Sequence, residues 1–504
     1  MKENIARSRA VAFTINLTRA IRVTARQNVK DLLCYCNLWL LFIKLRSMCL
    51  HVFQGMQIGF AEFRNTYSAI EAFKIAEEFF AFQQRLRKQE LGWFCPLLFN
   101  HIYCDSAGVW KPCCRAVIPS SIESWWGLRT ETHTPFQYFR ANQMDQLRKE
   151  MISGNLDKVR QICALCLNWE TKGWVSSRQR SLAYVAAIRG TTAFALFQSV
   201  RDFEMTGMFK PHGRNIELSA VIFGNYCNLK CYMCHPQNSS SRITELNNID
   251  RQQGTHWLEA LHKMDSVRFP ELTEPRFAEF VNDISREIDN VDAITIFGGE
   301  PLVMPKHYAF LDSLISTGQT HKVKLKYVTN LAKLSDGNRA FLEYARRFRE
   351  VIVNISVCGI GDKNEYIRYG SNWKQFLTNL DCVLKAPQIK VQSIGYTTSI
   401  LNVFDVLDTL KYFRNRFGLN VGFGNIVVSP KFLCAQHLPD QLKQILVESY
   451  QKSVYSHRLH RIIGVLKEPR DEGQFRMFIK YMRALDRHRG TDFTKIWPQF
   501  KPYM

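Results

Sequence analysis

Three cysteines stand close together near the middle of the chain, at Cys227, Cys231 and Cys234. Three thiolates within eight residues can bind one metal centre. The Cys-x3-Cys-x2-Cys spacing lacks the two Cys-x2-Cys halves that are typical of structural zinc. A four-iron cubane held by only three protein thiolates leaves one iron open to another ligand, and that vacancy makes such a cluster catalytic. The triplet therefore predicts a catalytic metal centre.

The triplet directly follows a β-branched segment, and three later β-branched segments also end in glycine-rich or polar residues. These ends are Phe297-Gly298-Gly299-Glu300-Pro301, Val328-Thr329-Asn330 and Ile355-Ser356-Val357-Cys358-Gly359, the last followed by Arg368-Tyr369-Gly370. In parallel α/β folds the chemistry lies on the loops at the carboxyl ends of the strands. Each segment also has an ordinary explanation. The glycine pair and Thr329-Asn330 suit turns, and Arg368 suits a solvated charge at a helix start.

In this order, the triplet and the Gly-Gly-Glu-Pro segment resemble the radical S-adenosylmethionine (radical SAM) enzymes. The resemblance implies that Cys227, Cys231 and Cys234 hold a catalytic [4Fe-4S] cluster. In that family, one electron from the cluster cleaves S-adenosylmethionine to methionine and a 5′-deoxyadenosyl radical, which abstracts a hydrogen atom from the substrate. A low-potential donor such as flavodoxin or ferredoxin is then implied as a partner. A zinc site or coincidental reduced thiols are the alternatives for the triplet.

The same resemblance assigns the cofactor contacts. The glycines allow close backbone approach, the region of Glu300 holds the methionine amino group, and Met233 can pack on the adenine, where relatives often have an aromatic residue. Cys358 replaces the usual Asp of the ribose motif, which leaves that contact to Ser356 alone. The implied cofactor-binding residues are Gly298, Gly299, Glu300, Pro301, Met233, Thr329, Asn330, Ser356 and Arg368.

A second group of cysteines lies upstream, at Cys95, Cys113, Cys114, Cys163 and Cys166. The turn composition of residues 105–108 predicts a hairpin that places Cys95 near Cys113. This layout is similar to the twitch module, the shortened relative of the SPASM domain, as found ahead of the barrel in an often phage-borne group. The resemblance implies an auxiliary [4Fe-4S] cluster on Cys95, Cys113, Cys163 and Cys166, with Cys114 as the alternate ligand. Four thiolates suit zinc equally well, and Cys104 is predicted to be a core residue.

The elements that must position these residues are six strands alternating with amphipathic helical stretches, which imply a parallel sheet with right-handed crossovers. The fold class is α/β: a partial (β/α)6 TIM-like barrel preceded by a small cysteine-rich α+β module and an N-terminal helical extension. The predicted strands are 216–223, 293–297, 323–328, 351–357, 389–397 and 420–428. The predicted domains are the extension (1–92), the twitch-like module (93–180), a linking helix (181–213), the barrel (214–430) and C-terminal helices (431–504).

The amino-acid composition restricts the possible functions less than the motifs do. The chain has 504 residues with ordinary hydrophobic content, which excludes a disordered or collagen-like protein. Its longest apolar run is too short to cross a membrane, and fifteen cysteines at short spacings favour a reducing compartment, so a cytoplasmic location is expected. Relatives with an auxiliary cluster mostly modify peptides, which favours a peptide or protein substrate. The net charge of +22 instead favours a nucleic acid, a nucleotide or a phosphorylated sugar. A non-catalytic iron–sulfur or zinc scaffold is the alternative of another class.

Overall fold

A computed structural model describes residues 93–105, 107–119, 128–154, 157–173, 175–187, 191–220, 223–261, 272–337 and 339–504, with short helical pieces between 78 and 85. The predicted N-terminal extension lies almost entirely outside the described residues. The chain divides into two compact units, Met1–Leu91 with Val185–Phe197 and Gly92–Tyr184 with Gln198–Met504. Every candidate site residue lies in the second unit.

An eight-stranded sheet forms the centre of this unit. All six predicted strands are present in it and run parallel to one another. The strand order is β10-β9-β8-β5-β4-β3-β1-β2, so the first and last predicted strands, β3 and β10, are not neighbours and the barrel stays open. The strands are β1 (His101–Cys104), β2 (Trp110–Lys111), β3 (Ile216–Ala220), β4 (Val291–Ile296), β5 (Lys324–Thr329), β6 (Ser335–Asp336), β7 (Arg339–Ala340), β8 (Glu350–Val357), β9 (Ile389–Thr398) and β10 (Val421–Ile426); β6 and β7 form a separate antiparallel pair.

The predicted hairpin is part of this sheet. β1 pairs antiparallel with β2 and parallel with β3, in the register His101 with Glu217 and Cys104 with Ala220. The upstream cysteine-rich segment therefore extends the barrel sheet by two strands, and residues 92–184 fall in one compact unit with residues 198–504. Local sequence patterns predicted the hairpin but not this pairing, because its partner strand lies more than a hundred residues away.

Helices cover one face of the sheet. The strand residues on that face, including Leu218, Ile294 and Val353, are completely or almost completely buried. The helix Phe341–Ala345 is short and directly follows β7. The α-helices before β3 are Leu97–Asn100, Pro135–Phe139, Asn142–Ser153, Asp157–Ile162, Ala164–Thr171, Ser177–Ala187 and Thr191–Thr206. The later ones are Ser240–Gln253, Trp257–Leu261, Glu274–Arg286, Pro305–Ser316, Phe341–Ala345, Asp362–Ile367, Trp373–Lys385, Val406–Phe417, Asp440–Lys452, Ser456–Lys467, Glu472–Arg489 and Phe493–Ile496.

The opposite face of the sheet is polar and only partly buried. Glu217 on β3 accepts hydrogen bonds from Thr295 Oγ1 (2.7 Å) and Lys326 Nζ (2.6 Å) on the next two strands. Asn354 on β8 continues this face and is also partly exposed. Parallel strands that are buried on both faces are apolar throughout. The polar side chains therefore indicate that this face, which we call the inner face, is partly open to solvent.

The chain after residue 430 is helical, as predicted. This part of the chain contains buried side chains such as Leu459, Phe478 and Trp497. It packs against the barrel, where Trp497 Nε1 donates to Asp405 Oδ2 (2.7 Å). Among the described residues, no helix combines the length and the apolar character that crossing a membrane requires.

Candidate functional site

The three clustered cysteines lie on the loop that leaves β3 at its carboxyl end. Cys227 is buried, and Cys231 and Cys234 are half-buried. The loop is held by backbone hydrogen bonds from Lys230 N to Tyr369 O (2.9 Å) and from Tyr232 N to the carbonyl of residue 367 (3.1 Å). The chain after β8 therefore fixes the course of the cysteine loop.

The thiols of this loop act on one another electrostatically. Burial raises the pKa of Cys227, and Cys231 raises it further. Burial together with Cys231 raises the pKa of Cys234 to about 12, while Arg242 and Arg368 oppose this rise. Converging buried thiols beside guanidinium groups suit an iron–sulfur cluster, because the iron ions relieve the repulsion between thiolates. Within the described residues, no group of three or more His, Cys, Asp or Glu side chains is arranged to hold a single metal ion.

The glycine-rich end of β4 lies directly against the cysteine loop. Gly298 and Gly299 both have positive φ, 89° and 53°. A Cβ atom on Gly299 would come within 2.2 Å of Tyr226 O and 2.3 Å of Met304 Cε. Glu300 N also donates to Tyr226 O (2.8 Å), one residue before Cys227. This segment is a turn, and its packing makes glycine necessary at position 299.

We expect Gly299→Ala to displace the cysteine loop. Ala at a positive φ costs about 1–2 kcal/mol, and the contact with Tyr226 O adds an overpacking cost of about 1–3 kcal/mol. Thermal unfolding and iron content after anaerobic reconstitution measure both effects. Gly318→Ala is the matched control, because Gly318 has φ 70° and nothing within 4 Å of a Cβ. Equal losses of stability and iron in the two variants would contradict the argument.

Glu300 organises the end of the next strand. Its buried carboxylate accepts from Thr329 Oγ1 (2.7 Å) and Leu302 N (3.2 Å) on one oxygen and from Asn330 N (2.6 Å) on the other. Burial raises the pKa of Glu300, and these donors partly offset the rise. Asn330 Nδ2 in turn lies 3.8 Å from Cys227 Sγ. The Glu300 side chain thus connects β4 and β5 to the cysteine loop through Asn330.

The segment that follows β8 places a positively charged side chain, Arg368, near the cysteine loop. Arg368 directly follows the helix Asp362–Ile367, is partly buried, and lies with Nη1 3.5 Å from Cys358 Sγ. Burial lowers the pKa of Arg368, but Cys231 and Cys358 outweigh this, so its pKa is raised. The alternative of a solvated helix-start charge is wrong for Arg368, since it ends a helix beside the thiols.

Within the residues that the structure describes, the remaining predicted cofactor residues are not joined to the cysteine loop by side-chain hydrogen bonds like those of Glu300 and Asn330. Met233 lies half-buried in the cysteine loop, and Ser356 is half-buried on β8. In the described part of the chain, no hydrogen bond joins the Ser356 side chain to the cysteine loop. Pro301 begins a buried 3-10 turn, Pro301–Val303, that follows Glu300.

Sequence reasoning missed a buried charge network behind the cysteine loop. Arg489 Nη2 donates to Lys230 O (2.6 Å), and its guanidinium pairs with Glu245 (2.9 Å). Arg242 pairs with the same carboxylate and donates to Tyr232 O (3.3 Å). The three charged side chains are at most 1% exposed. Nothing in the sequence indicated this network, because charged residues on amphipathic helices are usually solvated and Arg489 is 244 residues from Glu245.

The upstream cysteines also converge. Burial and then Cys163 raise the pKa of Cys95, and burial, Cys113 and Cys166 raise that of Cys163 to about 12. A hydrogen bond from Val117 N to the carbonyl of residue 162 (2.9 Å) joins the segment after the hairpin to the later cysteine pair. Cys114 is exposed, and Cys104 is fully buried in β1, the latter as predicted.

Comparison with known proteins agrees with this geometry. Residues 221–428 match the profile of the Radical SAM superfamily. This segment is similar to the radical SAM domain, a domain whose family uses S-adenosylmethionine and a [4Fe-4S] cluster. No curated protein matches the sequence.

Several solved structures are similar in part. Native anSMEcpe with bound AdoMet is 14% identical, with 46% of this chain and 58% of that chain covered and a TM-score of 0.33. SuiB from Streptococcus suis bound to S-adenosylmethionine is also 14% identical, with 62% and 59% covered and a TM-score of 0.33. The chain thus spans about three-fifths of the length of these proteins. These values are too low to transfer a substrate.

Proposed function

We propose that this enzyme binds S-adenosylmethionine at a [4Fe-4S] cluster held by Cys227, Cys231 and Cys234 and uses it to abstract a hydrogen atom from a substrate. The observation that carries the proposal is the convergence of three strand ends on the cysteine loop. Glu300 N donates to Tyr226 O (2.8 Å), Asn330 Nδ2 approaches Cys227 Sγ (3.8 Å), and Arg368 acts on Cys234. When bound, the cluster supplies the electron that cleaves S-adenosylmethionine reductively.

The chain's own residues position and shield this chemistry. The compact turn at Gly298 and Gly299 keeps β4 close to the cysteine loop. Glu300, Thr329 and Asn330 position the loop through hydrogen bonds rather than through free charges. Met233 and Ser356 would contact the adenosine, and Arg368 with Cys358 would close the far side.

The proposal also includes a second metal site on the upstream cysteines. We assign Cys95, Cys113, Cys163 and Cys166 as ligands of a second [4Fe-4S] cluster in a twitch-like module, with Cys114 as the alternate. Support comes from the electrostatic effects that raise the pKa values of these thiols, of Cys163 on Cys95, of Cys95 on Cys113 and of Cys113 on Cys163, as expected for neighbouring groups. Zinc is the competing metal, and the ratio of iron to zinc after expression in iron-rich medium decides between them.

The substrate is proposed as a peptide or protein, and reduction is proposed to come from a flavodoxin or ferredoxin. A nucleic acid, nucleotide or phosphorylated sugar is the second candidate, and the net charge of +22 favours it. The polar inner face, with Glu217, Lys326 and Asn354, suits a hydrophilic substrate of either kind.

An anaerobic assay tests the enzymatic proposal. The chain is reconstituted with iron and sulfide, reduced with dithionite, and 5′-deoxyadenosine formed from S-adenosylmethionine is quantified. We expect product from the wild type and none from the variant with Cys227, Cys231 and Cys234 all changed to Ala. A protein that holds its clusters and binds S-adenosylmethionine, yet forms no product, would favour the non-catalytic scaffold.

A further inference from the structure

Two arginines from distant parts of the chain, Arg115 and Arg461, lie over one indole ring, and Arg180 is close to both. We call these three residues the arginine cluster. The guanidinium carbons of Arg461 and Arg115 lie 4.3 Å and 5.0 Å from the centroid of Trp169. Arg180 is near enough to act electrostatically on both of the others. The fold thus places three positive charges together beside the auxiliary cysteines, since Cys114 and Cys166 also act electrostatically on Arg180.

The described part of the chain offers no carboxylate that balances these charges. Within the described part of the chain, none of the three arginines forms an ion pair with Asp or Glu, and Arg461 Nε is buried without a hydrogen-bond partner. The adjacent carboxylate, Glu170, is already engaged by Arg178 (2.5 Å) and Ser176 (2.5 Å). Burial and the neighbouring arginines lower the pKa of Arg461, which reflects the cost of holding like charges together. A bound anion would relieve that cost.

The arginine cluster also joins two ends of the fold. Arg461 Nη1 donates to Gly424 O (2.9 Å) on β10, the open edge of the barrel sheet. Arg115 directly follows the exposed Cys114 of the auxiliary group. The cluster therefore connects the last barrel strand with the upstream cysteine segment, and Arg180 is exposed to solvent there. This position is accessible to a ligand.

We propose that the arginine cluster is an oxyanion-binding subsite that takes a phosphoryl or carboxylate group of a ligand. Guanidinium groups bind both kinds of anion through charge-assisted hydrogen bonds, and Trp169 holds two of them in place by cation–π contact. The excess of 22 positive charges over the whole chain is consistent with an anionic ligand. The inference does not depend on the proposed enzymatic function, because anion binding is measured without turnover.

Isothermal titration calorimetry on the anaerobically reconstituted full chain tests this subsite. Sodium phosphate and sodium acetate are titrated separately at constant ionic strength. We expect one of them to bind saturably, and Arg180→Gln and Arg461→Gln each to weaken binding about tenfold, the order expected for one charge-assisted hydrogen bond. Arg461→Lys, which retains the charge, should weaken it less. Arg346→Gln is the matched control, since Arg346 is an exposed arginine paired with Glu343 (3.0 Å) elsewhere on the surface.

The outcomes separate the alternatives. Tighter binding of phosphate supports a phosphoryl ligand, and tighter binding of acetate supports a carboxylate ligand. Saturation by neither ion overturns the subsite, as does equal affinity in Arg180→Gln and Arg346→Gln. A changed visible spectrum of Arg180→Gln with unchanged anion affinity also overturns it, because the arginines would then only balance the charge of the auxiliary thiolates. Loss of 5′-deoxyadenosine formation leaves this result unaffected.

Discussion

Cys234→Ala is expected to abolish 5′-deoxyadenosine formation and to remove about four iron atoms per chain, because two thiolates cannot retain a cluster that already has one open iron. Cys234 lies in the loop that carries the three thiols, and the positive charges of Arg242 and Arg368 oppose the rise in its pKa. Iron analysis and product quantification under anaerobic conditions measure the two effects together. The auxiliary cysteines are unchanged, so the iron that they bind should remain.

The matched control for this variant is Cys434→Ala. Cys434 is also buried, at 5% exposure, but it lies after the last barrel strand and outside both cysteine groups. We expect it to retain iron and activity with only a small loss of stability. If Cys234→Ala retained product formation, or if both variants lost iron equally, the catalytic assignment of the triplet would fail.

Glu245→Gln is expected to cost about 3–5 kcal/mol of unfolding free energy, the cost of leaving buried charges without their partner. The substitution keeps the size of the side chain but removes the carboxylate that pairs with both Arg242 and Arg489. These arginines donate to the carbonyls of Tyr232 and Lys230, so their displacement should also loosen the cysteine loop. Chemical denaturation measures the stability, and iron retention during anaerobic gel filtration measures the loop.

The exposed pair Arg346–Glu343 provides the control for this buried pair. It has the same residue types at the same helical spacing, but both side chains are more than 60% exposed. Glu343→Gln should therefore cost at most about 1 kcal/mol. A similar small loss in Glu245→Gln would show that the network does not support the cysteine loop. If Glu245→Gln lost iron but kept its stability, the network would position the cysteine loop without contributing to the stability of the fold.

The C-terminal helices also support the cysteine loop. They lie beyond residues 221–428, the segment that matches the Radical SAM superfamily. Arg489 and Tyr481 nevertheless contact the cysteine loop, through Lys230 O (2.6 Å) and Tyr232 O (2.8 Å). We infer that truncation before the helix Glu472–Arg489 would impair the catalytic loop even with the whole barrel intact.

The sequence alone determined the six parallel strands, the cysteine triplet at the end of β3 and the glycine turn at the end of β4. These features follow from local causes: β-branched runs, short spacings between ligands and a backbone that only glycine can adopt. The predicted hairpin turn was equally local, since Asp105 Oδ1 accepts from Ala107 N (2.9 Å) and Val109 N (3.0 Å).

Only the tertiary structure decided how distant residues meet. The pairing of β1 with β3, the burial of Glu245 between Arg242 and Arg489, and the placement of Arg368 beside Cys358 each join segments without a shared local pattern. A charged side chain on a helix has the same sequence signature whether it faces water or an opposite charge in the interior. Burial distinguishes the two, and it depends on which elements pack together across the chain.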